Sequence, residues 1–124
     1  METRMFQELV LDFSAKELVE SRAERDRFPF VPLDEAVLNK AWEVGFFLLA
    51  LPVELEKAEG GLISLCLLLE GVCRFDASLG AVIFADSLAK EIALRAGGPA
   101  PLAQLIRGDD FRGHLLACQA YRNP

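Results

Sequence analysis

Catalysis needs particular side chains at particular spacings, and this chain offers few. His114 is its single histidine, so a Ser-His-Asp arrangement would have to be built around one ring inside a strand-like run. A half-buried strand residue is the expectation there. One histidine also leaves too few ligands for a metal set. Cys66, Cys73 and Cys118 form an odd count with no disulfide framework. Cys66 and Cys73 lie seven residues apart in an apolar run, on one helix face, and are expected to be small buried core residues. Carboxylates are plentiful but fall on faces that read as solvated, which argues against general acid–base work. Glu70 stands apart among Leu67, Leu68, Leu69 and Val72. An unpaired charge in such surroundings is costly, and Arg74, four residues on, is the expected ion-pair partner. Gly60-Gly61 and Gly97-Gly98 do not follow a strand with the spacing of a phosphate-cradling loop. Residue types alone predict no catalytic, cofactor-binding or metal-ligating residue.

The elements that carry these residues read as helices joined by glycine and proline signals. Apolar positions from Phe6 through Val19 recur mostly at three and four, predicting a first helix from Glu2 to Asp26. Ser14 followed by Glu17 matches a capping box, so a break or kink is expected near Asp12 to Ser14. Pro29 and Pro32 end the helix. Asp34 is the expected N-cap of a second helix through Val44, with Val37, Leu38 and Ala41 or Trp42 inward and Gly45 as its left-handed terminator. A third helix, Leu62 to Phe75, is apolar almost all round and so predicted to be buried on most sides. Asp76 or Ser78 starts a fourth, running to Ala96 and stopped by Gly97-Gly98-Pro99, with an inward stripe of Leu79, Val82, Ile83, Leu88, Ile92 and Ala93. A short fifth helix, Pro101 to Ile106, precedes a terminal strand near "HLLACQAYRNP". A lone strand has no partner for its backbone groups, so its partners are expected outside this chain. The predicted fold is all-α: an antiparallel bundle of about five helices with a short C-terminal β-strand, divided as 1–110 and 111–124.

Composition narrows the function classes. The chain has 124 residues, one domain's worth, 52% of them hydrophobic, with a formal net charge of −6. Arg22, Arg25 and Arg27 alternate with Glu20, Glu24 and Asp26 as on a solvated helix face, which excludes nucleic acid as a partner. The longest apolar runs are too short for a membrane span, and "METRMFQELV" is no signal peptide. A reduced, cytoplasmic setting is expected. So much apolar content suits a domain whose surface is completed by another domain or partner.

Taken in order, the pieces resemble the N-terminal helical domain of the acyl-CoA dehydrogenases. The shared series runs "LVESRAERDRFPF", "LNKAWEVGFF", "LPVELEKAEGG", "LLLEGVCRFDASLG", "ALRAGG" and "PLAQLIRGDD". Where the family enters its β-domain with a Thr-Glu-Pro-like segment, this chain has "AYRNP", with Arg122 and Asn123 in place of the hydroxyl and the acid. Its Pro-Glu to Gly-Gly loop is also longer than the family's. The resemblance implies an enzyme in which FAD lies between a β-domain and a C-terminal helical bundle. The bundle's carboxylate takes the α-proton while flavin N5 takes the β-hydride. On that basis this chain holds no catalytic residue and no cofactor by itself. Its implied contribution is one wall of the acyl-tail pocket: Ala81, Phe84 and Leu88, at i, i+3 and i+7 of the fourth helix, would face the fatty chain. The plainer alternative is that all three are core. The implied partner is a companion chain carrying the β-domain and bundle, or a second copy. A non-enzymatic helical relic used for assembly is the other functional reading.

Overall fold

The computed structural model describes residues 3–49, 61–98 and 100–101. Among them are five α-helices and no strand: α1 (Thr3–Glu17), α2 (Val19–Arg25), α3 (Glu35–Glu43), α4 (Leu62–Cys73) and α5 (Ala77–Gly97). The domain is all-α, as its periodicities predict. The expected loop through Gly60, the fifth helix beyond Pro101, His114, Cys118, the terminal strand and the 110/111 boundary lie outside the described residues.

The first predicted helix is two helices, and the break falls at Leu18, not near Asp12 to Ser14. Ser14 does not cap. Its hydroxyl donates to the Val10 carbonyl at 2.8 Å inside α1, so that polar group is satisfied without interrupting the helix. Leu18 is wholly buried, and Glu17 accepts from Lys40 of α3 at 2.7 Å.

The other boundaries follow local chemistry. The Asp34 carboxylate accepts the Ala36 N–H at 3.0 Å and starts α3. Val37 and Ala41 are its buried positions. Gly45, at φ 85°, provides the left-handed turn that ends it. The Asp76 side chain accepts from the N–H groups of Ser78 and Leu79 and caps α5.

Helix α4 packs against both α1 and α5. The core beneath them joins Val10, Phe13 and Leu18 to Val37, Ala41, Phe46 and Phe47, and to Leu65, Leu68, Val72, Leu79 and Ile83. Phe13 and Phe46 meet edge to face with centroids 4.8 Å apart. Full burial of each large apolar side chain contributes about 1.5–3 kcal/mol. At the α1–α4 crossing, a Cβ on Gly71 would sit 2.5 Å from Val10 Cγ1, so only glycine permits the approach.

The apolar circumference of α4 is not buried on most sides. Leu65, Leu68, Gly71 and Val72 face inward, while Leu62, Ile63, Cys66, Glu70 and Cys73 are exposed. Hydrophobicity all round leaves the helix without a preferred side, and its neighbours cover only one. Cys66 and Cys73 therefore stand on the surface, contrary to their expected place in the core. Glu70 does pair with Arg74, at 3.8 Å, but in solvent. No burial penalty needed to be met there.

Candidate functional site

The residues singled out for an acyl wall come together on α5. At about 100° per residue, Ala81, Phe84, Leu88 and Ile92 fall within an arc of about 80° and make a stripe about 16 Å long. All four are exposed; Phe84, Leu88 and Ile92 retain 53%, 45% and 52% of their accessible surface. Ala81, Phe84 and Leu88 are thus not core of this chain. Leu88 and Ile92 also leave the predicted inward stripe, whose Leu79 and Ile83 are wholly buried. Arg95 donates to Glu91 at 2.6 Å beside the C-terminal end of the stripe, so the apolar surface has a charged margin. Such a surface can hold an alkyl chain or an apolar protein face. It cannot move a proton or a hydride.

The opposite face of α5 carries an arrangement that the sequence did not announce. Asp86 and Lys90 are wholly buried and form a charge-assisted hydrogen bond one helical turn apart. The Lys90 ammonium also donates to the Phe47 carbonyl at 2.5 Å and lies 5.8 Å from the centre of that residue's ring. Burial pushes the Lys90 pKa below its ordinary value, against the opposing pull of the Asp86 charge and hydrogen bond. Beside them the Ser87 hydroxyl is buried without a partner among the described residues. The i, i+4 spacing that pointed to Glu70 and Arg74 was equally available for Asp86 and Lys90.

A second missed pair joins distant parts of the chain. Arg25 of α2 hydrogen-bonds Asp76, the cap of α5, with both side chains about nine-tenths buried. Arg22 reaches the Phe75 carbonyl at 3.5 Å. A hollow of about 480 Å³ opens beside them. Its two arginines face Asp26 and Asp76, and Asp76 already takes the N–H groups of Ser78 and Leu79. A second hollow, of about 330 Å³ between α1 and α4, is lined by Arg4, Glu8, Glu70 and Arg74. Among the described residues, no three metal-binding side chains converge. No described helix is long and apolar enough to cross a membrane.

A helical domain with apolar faces of α4 and α5 left open is the class that these features define. The profile of the acyl-CoA dehydrogenase N-terminal domain matches residues 1–105. The chain belongs to the acyl-CoA dehydrogenase family through this domain, as the order of its sequence pieces implied. No curated protein and no solved structure matches it.

Proposed function

We propose that this domain serves an acyl-CoA dehydrogenase-like flavoprotein by supplying one wall of the acyl-tail pocket and an assembly surface. It supplies none of the redox chemistry. The observation that carries this reading is the outer face of α5, where Ala81, Phe84 and Leu88 present apolar surface to the outside of the domain. Thioester binding, FAD and the catalytic carboxylate are assigned to parts of the assembly other than the described helices. The reaction class is the FAD-dependent oxidation of an acyl-CoA thioester, in a cytoplasmic setting, with a companion chain or a second copy completing the site.

The test is the chain-length profile of the flavin-containing assembly with straight acyl-CoA substrates. Phe84→Ala removes the bulkiest side chain of the wall and should move the preferred substrate toward longer chains. An unchanged profile would dismiss the wall. A flavin absorbance spectrum of the purified protein, alone and mixed with its genomic neighbour's product, tests the cofactor assignment separately.

A non-enzymatic assembly role is the second reading, favoured by apolar surface elsewhere. Phe28 and Phe30 are 87% and 71% exposed in the α2–α3 connection, a place where a partner protein would gain large contact area. This reading requires that no flavin bind in any mixture and that the protein self-associate through its open faces.

A further inference from the structure

In α3 the choice of inward face is simple: Val37 and Ala41 are apolar, while Glu35, Lys40 and Glu43 lie exposed. Helix α5 offers no such guide. Leu79 and Ile83 make one apolar face, and Ala81, Phe84, Leu88 and Ile92 make another, about half a turn away. Hydrophobic burial is non-directional and scales with area. By that criterion the outer face, with three large side chains, is the equal of the inner one. The side that goes in is moreover the side that carries a carboxylate, an ammonium and a hydroxyl.

What distinguishes the buried side is a directed contact. The Lys90 ammonium reaches a fixed acceptor, the Phe47 carbonyl in the turn after α3, and holds Asp86 at the same time. A half-turn of α5 would carry both charges away from that acceptor. Buried ion pairs add little net stability compared with apolar side chains of the same volume. Their best-attested use is to fix register, as a single buried polar residue does in coiled coils.

We infer that the Asp86–Lys90 pair, docked on the Phe47 carbonyl, is the key that selects which of its two apolar faces α5 turns into the domain. Asp86 and Lys90 are positioning residues: they decide that Phe84, Leu88 and Ile92 are the surface left open. The inference concerns orientation alone and stands apart from what later covers that surface.

Thiol labelling tests it. In a background with Cys66, Cys73 and Cys118 replaced by serine, two small reporters are compared: Ala81→Cys on the open face and Ser87→Cys on the buried one. With the pair intact, the first should label about 100-fold faster than the second, because the buried thiol reacts only through local opening. In the Asp86→Ala/Lys90→Ala double variant, which removes the pair without adding large apolar surface to the buried side, the helix content by circular dichroism should persist, and the ratio should fall by about tenfold or more as both orientations become populated. A folded double variant with an unchanged ratio overturns the inference, leaving the close approach of Gly80 to the Cys73 position of α4, which a Cβ would block, to fix the face. Should the double variant not fold, Leu88→Gln and Ile92→Gln are added to make α5 one-faced. Recovery of cooperative thermal unfolding then supports the key, and continued failure overturns it. The labelling ratio reads no substrate preference, so it fails or succeeds independently of the chain-length profile.

Discussion

The two sides of α5 reverse the usual distribution of polarity. Its buried side holds a carboxylate, an ammonium and a hydroxyl, and its open side holds a phenylalanine, a leucine and an isoleucine. On α1 the open side sets the surface ion pairs Arg4–Glu8 and Asp12–Lys16 among the exposed Met5, Leu9 and Leu11. The difference teaches that exposure in this domain comes in two kinds. The face of α1 mixes ion pairs with apolar side chains, and the stripe of Phe84, Leu88 and Ile92 on α5 is apolar with charge only at its margin.

The largest effect should come from breaking the buried pair on one side only. Lys90→Ala leaves the Asp86 carboxylate buried without its ammonium and should cost about 3–5 kcal/mol in urea unfolding. A loss below about 1 kcal/mol would mean that solvent reaches the site and that the two sides of α5 differ less than their burial indicates. Next in size is the apolar contrast. Ile83→Ala on the buried side should cost about 2–5 kcal/mol, whereas Leu88→Ser on the open side should change stability by no more than about 0.5 kcal/mol. Equal losses at the two positions would show that the open side is already covered in the free domain.

The smallest effect concerns solvent-facing charge. The Glu17 hydrogen bond, followed by its charge, raises the Lys40 pKa from its ordinary value of 10.5. A folded-state value above the unfolded one means that the contribution is complete below the unfolded value and disappears as pH rises through the folded one. Thermal stability should therefore fall slightly more steeply in the parent than in Lys40→Met as pH rises from the unfolded value through the folded one. Parallel pH profiles would reduce the Lys40–Glu17 contact to geometry without energy.

Apart from the break at Leu18, helix ends were legible because caps and terminators act locally. Asp34, Gly45, Asp76 and Gly98 each perform the role that their chemistry dictates. Which side of a helix goes inward was legible only where one side was polar, as in α3. In α4 and α5 the apolar residues run all the way round, and the outcome was set by contacts made at long sequence separation. Cys66, Cys73, Leu88 and Ile92 were misplaced for that reason. The same cause hid Lys90 on Phe47 and Arg25 on Asp76, since neither acceptor can be named until the chain has folded. Ala81, Phe84 and Leu88 share an exposed face of α5 by helical spacing, but spacing said nothing about whether they would meet protein or water.

The tie between Arg25 and Asp76 bears on how the domain would survive being cut. The connection from Arg27 to Val31 is open, and its Phe30–Val31 bond invites an aromatic-directed protease, whereas Phe28 is protected by the following proline. Cleavage there would sever α1 and α2 from everything that follows, yet α1 stays packed on α4, Lys40 stays bonded to Glu17, and the guanidinium keeps hold of the α5 cap. The two pieces should therefore travel as one particle in native gel filtration and part only in denaturant. Separation under native conditions would show that the covalent link, and not this clasp, keeps α1 and α2 in place.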